Sequence, residues 1–236
     1  MRIDCIINGR SRSFDVDPTM RLRQMLLING DFAVRDSDDC EGFCGSDTVL
    51  VDGRPLPAQA RRHWTVMLNK PVGYVTTMSD ERGRPCIADL VGGVGSRVYP
   101  VGRLDIMSEG LLLLTNDGEL ANKLTHPRYH KPKIYRVEIS GELDDETARA
   151  LSVPFNIDGY ITKPAKISVV SKGADMTVLE MTLFEGRNRQ IRKMCDSLGL
   201  HIRKLTRTAI GDVKLGNLAL GRWRHLTKTE LDALRR

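Results

Sequence analysis

From residue 64 onward, stretches in which every second residue is apolar alternate with stretches whose apolar residues recur every three or four positions. Trp64, Val66 and Leu68 show the first pattern. So do Tyr135, Val137 and Ile139, with Arg136 and Glu138 between them. A period of two marks a strand with one buried face. Leu111 to Leu114 form a continuous apolar run, the mark of a strand covered on both faces. This reading predicts strands over 64–69, 73–77, 98–104, 110–115, 133–140, 164–170, 177–184 and 202–210. Helices are predicted at about 118–125, 144–151, 188–198 and 228–235. Asn116 with Glu119, and Thr227 with Glu230, have the spacing of reciprocal helix caps, and Gly199 that of a helix stop. Strands outnumber helices and many are joined by short turns, so the expected fold class is α+β, with a mixed, largely antiparallel sheet.

Before residue 60 the pattern differs. DCIINGRSRSFDV reads as a hairpin turning at Asn8-Gly9, with Phe14 and Val16 alternating after it. RLRQMLLING suggests a short helix, and TVLVDGRPL a second hairpin turning at Asp52-Gly53. Two domains are expected: residues 1–60, small and β-grasp-like, and residues 61–236, the larger one. Charge divides at the same place. The whole chain carries +6, yet residues 1–60 hold seven Arg and no Lys against ten acidic residues. The excess of basic residues therefore falls after residue 60, where a polyanionic partner would bind.

Other compositions and motifs narrow the field. No apolar run nears the roughly 20 residues that span a bilayer, and the first residues lack the layout of a signal peptide, so a cytoplasmic protein that does not engage a membrane is expected. Five scattered cysteines read as reduced thiols. There is no GxxxxGK[ST], no helix-opening GxGxxG, no HExxH and no GxSxG around Ser108, which argues against nucleotide-driven, zinc and serine-hydrolase chemistry. No metal or cofactor is expected.

Three stretches could carry chemistry. In VGRLDIMSEGLLLL a polar loop leads into the apolar strand, placing Asp105 beside Arg103 near the core, although loop aspartates most often only cap turns. In EGRNRQIRKMCDSLG, Ile191, Met194, Cys195 and Leu198 form a helical stripe. Arg189 and Lys193 point away from that stripe and Arg192 sits on its flank. The cluster Arg187, Arg189, Arg192 and Lys193 suits RNA phosphates, or else a solvated basic face. In KPKIYRVEISG, Tyr135 offers either a core ring or a platform for an unstacked base.

The blocks LNKPVGYVTT, VGRLDIMSEGLLLLTNDGELANKLTHP, KIYRVEISG and FEGRNRQIRKMCDSLGLHIRKLTRTAIGDVKLGNLALGRWRHLT resemble the RsuA-type family of ribosomal RNA pseudouridine synthases, over about residues 64–235. The resemblance implies a pseudouridine synthase catalytic domain that works without a cofactor, as a monomer, on ribosomal RNA. It makes Asp105 the catalytic aspartate, Tyr135 the ring against the target base and Arg192 the partner of the aspartate. Ile191 would lie beside the base and Arg103 would help hold the flipped nucleotide, while Arg187, Arg189 and Lys193 would meet the RNA backbone.

The first 60 residues resemble instead the two-iron two-sulfur β-grasp domain of molybdenum hydroxylase small subunits, through INGRSRSFDVDPTMRLRQMLL and CGSDTVLVDGRPL. Only Cys40 and Cys44 stand where four cluster cysteines would, Asp47 and Gln59 replacing the others, so a β-grasp fold without iron is expected. Three readings of function remain: an RNA pseudouridine synthase, a non-catalytic RNA-binding or ribosome-assembly protein on the same fold, and an electron-transfer protein built on the first domain.

Overall fold

The computed structural model describes residues 2–7, 10–16, 50–51, 54–55, 63–126 and 131–235. The chain divides into two compact units, Met1–Arg62 and His63–Arg236. In the first, β1 (Arg2–Ile7) pairs antiparallel with β2 (Arg10–Asp15) and β3 (Leu50–Val51) with β4 (Arg54–Pro55). Ile3 stands opposite Phe14, which is buried. The turns Asn8-Gly9 and Asp52-Gly53, the helix expected over 21–30, and Cys40, Cys44, Asp47 and Gln59 lie outside the described residues.

The second unit holds β5 (Thr65–Lys70), β6 (Tyr99–Val101), β7 (Glu109–Thr115), α1 (Gly118–Thr125), β8 (Lys133–Ser140), α2 (Asp145–Ala150) and the short pair β9 (Asn156–Ile157) and β10 (Tyr160–Ile161). There follow β11 (Lys166–Ser171), β12 (Met176–Leu183), α3 (Gln190–Ser197), β13 (Ile202–Ile210), β14 (Val213–Lys214), β15 (Trp223–His225) and α4 (Lys228–Arg235). One sheet runs β11-β12-β8-β13-β7-β5-β15, with β14 added to β13 and β6 to β7. Every pairing in it is antiparallel except β13 with β7. That parallel seam is short, joining Thr206 to Glu109 and Arg207 to Gly110. Two antiparallel wings thus meet at one narrow place.

Both faces of the sheet are covered, which accounts for the unbroken run in β7. Leu112 and Leu114 belong to a core with Val66, Leu68, Val137, Leu179, Met181 and the α3 residues Ile191, Met194 and Cys195. Leu111 and Leu113 face the other way, into a core with Met67, Leu120, Leu124, Ile210 and Leu234 on the side of α1 and α4. No described helix is long and apolar enough to cross a membrane.

Three local expectations need correction. Residues 73–77 are not a strand: Gly73 takes φ +91°, the chain turns, and only Val75 bridges, to Cys86. β6 is shorter than expected because Gly102, at φ +73°, turns the chain out of it. α1 is capped by Asp117, which accepts from the Leu120 amide at 3.0 Å, while Asn116 accepts from the Trp64 amide at 2.7 Å. The Thr227–Glu230 box does form, with bonds of 2.8 and 3.2 Å, and Gly199 follows α3 at φ +70°.

Candidate active site

The loop between β6 and β7 is held by its backbone. Leu104 is buried, and its carbonyl accepts from the Thr76 hydroxyl at 2.7 Å. The Ser108 amide donates to the Asp105 carbonyl at 3.0 Å and closes a turn. Three cations from three elements then grip the chain around that turn. Lys70, at the end of β5 and fully buried, donates to the carbonyls of Pro71, Asp105 and Ser108 at 2.9, 3.2 and 2.8 Å. Arg192, on α3, donates to the Met107 carbonyl at 2.6 Å and approaches the Ser108 hydroxyl at 3.4 Å. Arg207, on β13 and 2% exposed, donates to the carbonyls of Leu111 at 2.7 Å and Arg103 at 3.4 Å. Hydrogen bonds from ionised donors are the stronger kind, and six of these seven fix the one short segment 103–111.

The seam beside this loop admits only glycine. Gly110 sits at φ +104°, and a Cβ there would fall 2.3 Å from the Arg207 carbonyl oxygen. The tight approach brings the root of Arg207 against β7, within reach of both Leu111 and the loop.

A cleft of about 690 Å³ opens over the seam. Arg103, Asp105, Tyr135, Ile191 and Arg192 all line it, with Arg187 and Arg189. Asp105 is half-buried, Tyr135 and Ile191 are buried, and Arg103 is exposed. One expected contact is missing: among the described residues no ion pair joins Asp105 to Arg192. The Arg192 guanidinium is spent on Met107 and Ser108 instead, and its buried Nε has no partner.

The electrostatics favour an anion here. Burial lowers the Lys70 amine from 10.5 to about 8; the negative charges of Asp105 and Glu109 act to raise it, and the nearby Arg207 charge lowers it further. The chain retains a buried cation two of whose three bonds hold the segment around Asp105.

At the rim, Arg189 is exposed, in the left-handed region at φ +51°, where it opens α3. Arg187 lies over the Tyr160 ring, 3.5 Å from its centroid. The Tyr160 hydroxyl donates to Glu185 at 3.1 Å, as does the Gln190 amide at 3.1 Å. Lys193 does not face open solvent as its spacing suggested: it is paired with Asp158, which the turn between β9 and β10 presents to α3. Cys195, under α3, is a buried thiol pushed up to about 12, chiefly by desolvation, and belongs to the core.

Residues 64–197, more than half of the chain, match the model of the RNA pseudouridylate synthase family. The chain belongs to that family. Among curated relatives of this synthase family, an uncharacterized RNA pseudouridine synthase of Aquifex aeolicus is 41% identical over 80% of this chain and 75% of its own length. Ribosomal large subunit pseudouridine synthase B of Bacillus subtilis is 37% identical over 81% of this chain and 78% of its own length. A crystal structure of a pseudouridylate synthase superposes with a TM-score of 0.66 at 30% identity, covering 80% of each chain.

Lys70, Thr76, Gly110 and Arg207 were not singled out from the sequence, and Ser108 was weighed there as a hydrolase serine and set aside. Lys70 and Arg207 do stand in blocks that resemble the synthase family, LNKP and LTRTAIG, but their roles depend on carbonyls 35 to 104 residues away in the chain. The one available signal is a lysine two residues beyond Leu68, at the end of the strand that holds Val66, Met67 and Leu68, where a charge is unexpected unless it is bonded.

Proposed function

We propose that this chain converts a uridine of ribosomal RNA to pseudouridine, with Asp105 acting at the sugar of a nucleotide everted into the cleft. The observation that carries this reading is a half-buried carboxylate on a clamped loop, opening onto a cleft that Tyr135 also lines. Ribosomal RNA as substrate follows the name of the Bacillus subtilis relative, a ribosomal large subunit pseudouridine synthase. Work on that substrate implies a cytoplasmic enzyme. Every residue lining the cleft lies between 75 and 210 of a single chain, which suits a monomer.

The reaction breaks the N1–C1′ bond, turns the freed uracil within the cleft and forms the C5–C1′ bond. The C5 hydrogen leaves as a proton and N1 gains one, so no redox partner or cofactor is called for. Asp105 serves either by attacking C1′ or by removing a C2′ proton, and both routes start from an ionised carboxylate. The clamp of Lys70, Arg192 and Arg207 keeps the loop from shifting as the base turns. Tyr135 supplies the ring against which an unstacked base rests, with Ile191 beside it. Arg192 acts on the aspartate through the loop, by way of Met107. Arg103 holds the strand at the mouth. Arg187 and Arg189 meet the RNA backbone, while Lys193 cancels the charge of Asp158, which would otherwise repel it.

Tritium release from ribosomal RNA labelled at uridine C5 tests the reading. The wild-type protein should release label, and folded Asp105→Asn should release none. Release by Asp105→Asn at the wild-type rate would sink the assignment of the carboxylate.

A further inference from the structure

We propose that Lys133 and Arg207 form a phosphate subsite within the cleft, which takes a backbone phosphate of the RNA strand next to the base on Tyr135. The inference rests on the reading above, that a nucleotide enters this cleft.

Arg207 is the cross-strand partner of Tyr135, and Lys133 precedes Tyr135 by two residues on the same strand. Directly paired residues share a face of a sheet, as do residues two apart, so the ring is flanked by two cations on its own face. All three line the cleft. Two positions along a strand are about 7 Å apart, the scale of the step from base to phosphate within one nucleotide.

Among the described residues neither cation has a counter-ion. There the Arg207 side chain bonds the carbonyls of Leu111 and Arg103 alone, and its Nη2 is buried without a partner. The Lys133 amine bonds the Lys131 carbonyl alone, at 3.3 Å. Among the described residues no carboxylate pairs with either, and Asp105 is the single acidic residue that lines the cleft. Burial and the charge of Arg207 together depress the affinity of Lys133 for its proton. Buried charges are normally paired, and an uncompensated pair of cations facing a cavity calls for an anion that arrives with the ligand. In an RNA strand that anion is the phosphodiester.

Salt dependence of binding by the full chain to a ribosomal RNA fragment, read with turnover on the same fragment, tests the subsite. Losing one phosphate contact should make the slope of log K against log salt shallower by about 0.7 to 0.9. Lys133→Met should show that change and a roughly tenfold fall in kcat/KM, chiefly through KM. Lys133→Arg should restore the slope. An unchanged slope in Lys133→Met, in a wild-type protein that does release tritium, overturns the subsite and leaves the isomerase reading intact. So does an upward move of the acid limb of the kcat profile with the slope unaltered, which would mean that the cations serve Asp105 alone. A shallower slope in a protein that releases no tritium would sustain the phosphate site while sinking the isomerase reading.

Discussion

The cleft has an inner and an outer set of basic residues, and they use their charge differently. Lys70, Arg192 and Arg207 spend their donors chiefly on backbone carbonyls around Asp105. Arg187 and Arg189 are exposed, and the outer cations that have partners meet side chains: Arg187 the Tyr160 ring, Lys193 the Asp158 carboxylate. A cation inside a protein is costly unless its hydrogen bonds are met, whereas one in water is cheap and screened. The inner set therefore builds the shape of the site, Arg207 alone of it also meeting a phosphate, and the outer set meets the polyanion at the rim. Substitutions inside should change the rate and the fold; those outside should change affinity and its response to salt.

The largest effect should follow Gly110→Ala, because the two wings of the sheet meet at its contact with Arg207. The new Cβ would collide with backbone at 2.3 and 2.8 Å, at a φ of +104° that alanine avoids. We expect a loss of about 3 kcal/mol or more, measured by thermal or denaturant unfolding. Next comes Lys70→Met, which leaves the loop carbonyls of Asp105 and Ser108, and that of Pro71, without their donor. A misplaced catalytic group of this kind should lower kcat about 100-fold with little change in RNA affinity, and a rise in KM with kcat intact would break the distinction drawn here.

Lys70 also gives opposite pH responses of activity and stability. Its folded-state value, about 8, lies below the ordinary 10.5. Between those values the unfolded chain holds the proton that the folded chain has lost, so stability from this group rises with pH across that window. Activity should fall over the same window as the amine loses a donor and its charge beside Asp105. Wild-type kcat should therefore decline with a midpoint near pH 8, and the decline should be absent from the residual activity of Lys70→Met. Parallel pH profiles of the two proteins would refute the role given to the lysine.

Sequence patterns disclosed the strands of the second unit because β5, β7, β8, β12 and β13 each bury a face or both, and burial leaves a period. β9, β10, β14 and β15 span only two or three residues, too few to show one. The cleft residues Asp105, Tyr135, Ile191 and Arg192 were legible through the family resemblance, and the helical stripe of α3 independently placed Arg192 on its flank. The clamp was not. Its acceptors are backbone carbonyls, which every residue has, so the side-chain pattern marks Lys70 by nothing more than its place at the end of an apolar strand and does not tell Arg207 from a strand-edge arginine. For the same reason the expected bond from Arg192 to the Asp105 carboxylate went instead to the carbonyl of Met107.

Outer-set substitutions should have smaller effects of another kind. Arg187→Ala should leave kcat nearly unchanged, raise KM a few-fold and make the salt slope shallower by about one phosphate contact. Tyr160→Leu, which removes the ring under that guanidinium, should act in the same direction but less strongly, since the charge remains.

The smallest effect should come from removing residues 1–60, and it tests whether the basic cleft acts alone. That segment has seven Arg and no Lys against ten acidic residues, so its net field repels phosphate, whereas the remainder of the chain carries the whole positive excess. Counterion release depends on the number of phosphates neutralised, to which an acidic segment adds nothing on balance. The truncated protein should bind the RNA fragment with a slope within about 0.5 of wild type. A drop of two or more would mean that arginines of the first unit gather on the RNA despite their acidic surroundings, and the contact surface would then extend well beyond the rim of the cleft.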